Sequence, residues 1–156
     1  MEITLVNPQI PQNTGAIART CAATGTPLNL IKPYPFEINE KNVRRAGLDY
    51  WPYVNLTEYE SWQEYLNQIG KSSEKIWLLT TKTEQPYWDV SYKSDDILVF
   101  GSETTGLSEQ IRESHPERCI TIPMYCEGVR SLNLANATSI VLYEGLRQNN
   151  EGLSSC

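Results

Sequence analysis

The chain has 156 residues, 40% of them hydrophobic and 21% charged. That length and balance suit one packed domain burying roughly 70% of its unfolded surface, and they exclude a disordered chain. The net charge of −6 excludes nucleic-acid binding by global attraction, so such a function would need a local basic patch.

The first residues, MEITLVNPQ, start as a strand over Ile3–Val6 with no basic flank, so they do not read as a signal peptide. No apolar run approaches the ~20 residues of a membrane span, and a soluble, cytoplasmic protein is expected. A helix over Asn13–Thr24 follows, with Asn13 as its cap and Gly25 as its stop. Ile17, Cys21 and Thr24 share one face of it, and Arg19 points the other way. The neighbours of Arg19 at three and four residues, Gly15, Ala16, Ala22 and Ala23, are small and include no carboxylate. Such an arginine is either simply exposed or kept for a ligand phosphate.

A strand at Leu28–Ile31 precedes a helix at Asn39–Ala46. Lys41, Arg44 and Arg45 cluster there as a candidate basic patch, or else as a solvated helix face. In the next helix, Ser61–Ile69, Trp62, Tyr65, Leu66 and Ile69 fall at amphipathic spacing. Strands are expected at Ile76–Thr80, Ile97–Phe100 and Cys119–Ile122, with a helix at Ser108–Glu113 between the last two. A long helix then runs over Ser131–Gln148. From Leu132 to Leu146 it is apolar nearly all round, apart from a stripe of Asn133, Asn136, Glu144 and Arg147 whose polar groups need partners. Residues 151–156 are expected to fray, leaving 1–150 as the domain. Strands alternating with helices indicate a mostly parallel α/β sheet.

The residues able to do chemistry narrow the choice. Cys21, Cys119, Cys126 and Cys156 form no C-x-x-C pair, and His115 is the single histidine. Free thiols and no metal are expected. His115 lies in a polar loop ahead of a proline, which argues against Ser-His-Asp and Cys-His schemes.

In open α/β sheets ligands bind beyond the carboxyl ends of strands, where three loops converge: 79–82, 101–106 and 123–131. The second, in FGSETTGLS, has the G-x-x-x-x-G of a phosphate loop but no lysine, and Glu103 stands where phosphate oxygens would lie. Its glycines suit close approach of a flat or cationic ligand, or simply the geometry of the turn. The Thr/Gly-rich Asn13-Thr14-Gly15 keeps a flavodoxin-like flavin carrier as an alternative.

Together N-T-G-A-I-A-R-T, F-G-S-E-T-T-G-L and I-P-M…S-L-N-L-A-N-A resemble the three ordered motifs of the SPOUT (SpoU/TrmH-type) RNA 2′-O-ribose methyltransferases. RRAGLDYW, Arg44 to Trp51, resembles the TrmL/YibK group, which acts on the wobble nucleotide of certain leucine tRNAs. The segment Tyr125 to Arg130 is slightly longer than the group's usual loop.

The resemblance implies a trefoil knot made by the C-terminal segment, where pattern alone points to an unknotted doubly wound sheet. It also implies a homodimer, S-adenosylmethionine as cofactor and tRNA as partner. Leu79, Thr80, Gly101, Ile122, Met124, Ser131 and Leu132 would line the cofactor site. Arg19 matches the catalytic arginine, and Asn13, Glu103 and Asn133 match polar motif positions. Lys41, Arg44, Arg45 and Arg130 would hold RNA. The remaining alternative is an RNA-binding protein without catalysis.

Overall fold

The computed structural model describes residues 1–37, 50–70 and 72–149. Six parallel strands form one sheet in the order β3-β2-β1-β5-β4-β6. They are β1 (Glu2–Val6), β2 (Leu28–Ile31), β3 (Leu56–Tyr59), β4 (Ile76–Leu79), β5 (Ile97–Phe100) and β6 (Cys119–Ile120). Among the described residues four α-helices flank it: α1 (Pro11–Thr24), α2 (Trp62–Ile69), α3 (Glu109–Ser114) and α4 (Leu134–Gln148).

Apart from the edge strand β3, the strands are short, largely apolar runs because both sheet faces are covered, and the side-chain period of two sorts their residues between two cores. Ile3, Leu5, Leu28, Leu30, Leu98 and Phe100 join Ile17, Val141 and Leu142 of α1 and α4. Val6, Ile31, Ile97 and Val99 join Tyr65 of α2 and Ile111 of α3. On this second face Thr4 donates to the Tyr65 hydroxyl at 2.9 Å, and burial pushes that phenol above its ordinary pKa.

Local signals place the helix ends. Ser61 caps α2 by accepting from the Glu64 N–H, and Ser108 caps α3 by accepting from the Ile111 N–H. Gly25 closes α1 in the left-handed conformation at φ 65°.

Several boundaries differ from expectation. β3 was not expected from LTEY, because it is an edge strand with Thr57 and Glu58 exposed. It exists through pairing with β2, Leu28 opposite Leu56 and Ile31 opposite Tyr59. β4 ends at Leu79 and β6 at Ile120, each earlier than expected. α4 starts at Leu134 rather than Ser131, with Asn133 as its cap. The expected helix Asn39–Ala46 and the expected tail 151–156 lie outside the described residues.

Candidate active site

Leu79 pairs with both Phe100 and Ile120, so β4, β5 and β6 end level. The next residues, Thr80, Gly101 and Thr121, therefore stand in one row along the sheet edge. The Thr80 N–H donates to the Ile120 carbonyl at 3.0 Å, and its hydroxyl accepts from the Lys82 N–H at 3.1 Å as the chain turns away. Of the residues expected to line a cofactor site, Leu79, Thr80, Gly101 and Ile122 share this edge. Half-buried Met124 and exposed Ser131 and Leu132 follow on the connection to α4.

Of the two readings of Gly101, the structure bears out the geometry of the turn. A Cβ there would stand 2.1 Å from the Gly106 carbonyl carbon and the Leu107 nitrogen. The space its missing side chain leaves is taken by the protein's own turn rather than opened to a ligand. That turn is closed by the Gly106 N–H donating to the Ser102 carbonyl at 2.9 Å and by the Ser102 and Thr105 hydroxyls, 2.7 Å apart. Gly106 takes a φ of 68°, which side-chain-bearing residues adopt at a cost.

Glu103 also has work within the fold. Its carboxylate accepts the backbone N–H groups of Gln9 at 2.8 Å and Ile10 at 3.2 Å, and the Asn13 amide at 3.0 Å. The carboxylate thus lies at the N-terminus of α1, where the helix dipole favours a negative charge. Ile10, the residue at the cap position, supplies no side-chain bond.

Asn13, expected as the cap, is instead buried in the first turn. It accepts from the Asn133 amide at 2.9 Å, and Asn133 accepts from the Ala135 and Asn136 N–H groups at 2.9 and 3.4 Å. Asn13, Glu103 and Asn133 therefore form one hydrogen-bond chain joining two helix N-termini to the β5 turn. It places an anion where the flavin alternative needs its phosphate.

Arg19 stands six residues beyond Asn13, roughly 9 Å along the axis of α1, and is exposed. Its guanidinium carbon lies 5.6 Å from the centroid of the Tyr50 ring, over its face. Tyr50, 9% exposed, donates its hydroxyl to the Gly15 carbonyl at 3.1 Å. Sequence reasoning passed over Tyr50, although RRAGLDYW contains it.

Asn133, Glu144 and Arg147 of the α4 stripe find partners within the chain. Arg147 pairs with Glu144 at 2.8 Å, and that contact holds the Glu144 carboxyl below its ordinary pKa. Asn136 is exposed, as is Arg130. Lys41, Arg44 and Arg45 lie outside the described residues. From Tyr125 to Arg130 the chain is exposed, with a turn closed by the Val129 N–H on the Cys126 carbonyl at 3.0 Å. Burial pushes the Cys21 thiol up to about 12 and raises that of Cys119, so neither suits nucleophilic work. Among the described residues no three His, Cys, Asp or Glu side chains gather as metal ligands.

The profile of the SpoU rRNA Methylase family matches residues 1–143. The chain is 41% identical over 148 residues to the tRNA (cytidine(34)-2′-O)-methyltransferase of Methylovorus glucosotrophus (strain SIP3-4), covering 94% of each. It is 46% identical over 149 residues to a protein of Lactococcus lactis subsp. cremoris (strain MG1363) provisionally given the same name, covering 94% of this chain and 88% of that one. A solved structure described as giving insight into the 2-OH methylation of C/U34 on tRNA has a TM-score of 0.88 at 37% identity, with 96% and 90% covered. The SpoU methyltransferase AviRb of Streptomyces viridochromogenes, solved with AdoMet, shares the fold at a TM-score of 0.82 and 24% identity, with 97% and 58% covered.

Proposed function

Because the chain belongs to the SpoU rRNA Methylase family, we propose that it transfers a methyl group from S-adenosylmethionine to the ribose 2′-oxygen of the tRNA wobble nucleotide. The observation that carries this reading is its end-to-end likeness to wobble-position 2′-O-methyltransferases, in sequence and in fold.

The sheet edge suits that cofactor. Leu79, Thr80, Gly101 and Ile122 offer apolar side chains, a hydroxyl and backbone groups but no cation. An adenosine bearing a sulfonium fits that donor set, whereas a nucleotide phosphate calls for a cationic partner. When bound, S-adenosylmethionine supplies a methyl group on a sulfonium, activated toward an oxygen nucleophile.

The protein's own part is placement and charge. Arg19 holds the phosphate beside the target ribose and stabilises negative charge growing on the 2′-oxygen. A guanidinium keeps its proton in proteins, so this role is electrostatic and the ribose proton leaves late, to solvent. Holding the hydroxyl in line with the methyl is worth up to roughly 7–11 kcal/mol. Asn13, Glu103 and Asn133 act behind the reacting atoms by fixing α1 and α4 against the β5 turn.

A knotted C-terminal segment belongs to the same reading. Thr121 donates to the Gln85 carbonyl and accepts from the Tyr87 N–H, both at 2.8 Å, while Ile120 accepts from Thr80. The segment thus runs between the two ends of the 80–87 excursion before crossing to α4. A homodimer through α1 and α4 is supported by exposed Ile10, Ile140 and Tyr143. Lys41, Arg44, Arg45 and Arg130 supply the local basic surface for tRNA, with leucine isoacceptors as the substrates. A cytoplasmic location is part of the same proposal, supported by the proposed work on tRNA; among the described residues no helix is long and apolar enough to cross a membrane.

Nucleoside mass spectrometry of unmodified tRNA, incubated with the protein and S-adenosylmethionine, tests the proposal. The expected product is a 2′-O-methylated nucleoside at the wobble position. Unmethylated tRNA with folded, cofactor-bound protein would overturn it and leave an RNA-binding protein without catalysis.

A further inference from the structure

We infer that Tyr50 is a positioning residue for Arg19, an inference that rests on the reading of Arg19 as the group facing the RNA phosphate and ribose. The Tyr50 hydroxyl is anchored on the Gly15 carbonyl, and the Arg19 guanidinium lies over the same ring. Gly15 and Arg19 are four residues apart, so they stack on one face of α1. The ring therefore spans one helical turn, held at one end by backbone and presenting its face to the cation above. Its 9% exposure and the packing of Trp51 and Val54 against the core keep it from following the arginine's motion.

The chemistry of the contact suits an arginine that must act on a ligand. A guanidinium lying on an aromatic face within ~6 Å is attracted by the ring quadrupole. Unlike pairing with a carboxylate, this contact does not neutralise the charge. The helical neighbours Gly15, Ala16, Ala22 and Ala23 are too short to wall a side chain of this length. Tyr50 supplies that wall, narrows the rotamers Arg19 samples and keeps water from one face of the cation.

The test compares two near-isosteric rings in the full-length protein: Tyr50→Phe, and pentafluorophenylalanine at position 50. Both lose the bond to Gly15, but only fluorination weakens the attraction between ring face and cation. Single-turnover methyl transfer is measured at saturating tRNA and S-adenosylmethionine, with melting temperature and cofactor affinity recorded alongside. The fluorinated protein is expected to be slower than Tyr50→Phe by roughly twofold to fivefold, with equal melting temperature and cofactor affinity. The Arg19 side-chain protons should carry a ring-current shift in wild type and in Tyr50→Phe. Equal rates for the two variants, or no ring-current shift in wild type, would overturn the inference. Arg19→Ala separates the two levels. Wild-type methyl transfer by Arg19→Ala would overturn the catalytic reading beneath the inference. An inactive Arg19→Ala, with equal rates for the two rings, would overturn the role of Tyr50 alone.

Discussion

Asn13 donates its side-chain amide to the carboxylate of Glu103 at 3.0 Å, across ninety residues of sequence. That bond, with the two backbone N–H groups Glu103 also accepts, ties the start of α1 to the turn after β5. Glu103 is thus the helix cap that Ile10 does not provide.

Glu103→Ala should therefore lower stability by about 1–2 kcal/mol, the cost of a lost cap with donors left unpaired. For a chain of this size that is a fall of roughly 2–8 °C in melting temperature, read by circular dichroism. An unchanged midpoint would show that solvent replaces the carboxylate without cost.

Gly101→Ala presses a methyl group into the Gly106–Leu107 backbone. The turn must move, and overpacking of this kind costs about 1–3 kcal/mol. S-adenosylmethionine binding, followed by calorimetry, should weaken along with the urea midpoint, because Gly101 stands level with Thr80 at the sheet edge. Retention of both would mean that the turn shifts without disturbing that edge.

Ile140 and Tyr143 of α4 are 37% and 54% exposed, and α4 packs beside α1, with the Ser139 and Thr20 hydroxyls 3.4 Å apart. A two-fold dimer, the commonest symmetric assembly, would cover this surface. Sedimentation at micromolar concentration should give a dimer for the wild type and a monomer for Ile140→Asp combined with Tyr143→Asp. A monomeric wild type would remove the interface.

With a net charge of −6, tRNA must be held locally. Each phosphate contact adds about −0.7 to −0.9 to the slope of log affinity against log salt. Replacing Arg44 and Arg45 by Ala should flatten that slope while leaving cofactor affinity unchanged. An identical slope would move the RNA to another surface.

Cys126 is exposed, whereas Cys21 and Cys119 are buried. Burial holds the Cys21 thiol up to about 12, so at neutral pH it carries almost no reactive thiolate. Peptide-level mass spectrometry after brief treatment with a thiol reagent should find Cys126 modified and Cys21 intact until the protein unfolds. Rapid labelling of Cys21 in native protein would contradict its placement in the core.

By itself the sequence determined the parallel sheet, through short apolar runs between helical patterns, and the extents of α2 and α3 to within a residue. These features are legible because periodicity and capping act over a few residues. The three motif segments carry the family resemblance, and each is legible because it is contiguous. Tertiary structure alone decided β3, whose sequence is half exposed and whose pairing partner, β2, comes from a distant segment. It also decided what the motif residues touch. Asn13, Glu103 and Asn133 meet from segments some ninety and one hundred and twenty residues apart, and the approach of Gly106 and Leu107 leaves no room for a side chain at Gly101. Local sequence can show that a polar or glycine residue is out of the ordinary. Which donor or backbone atom it answers depends on segments that only the folded sheet brings together.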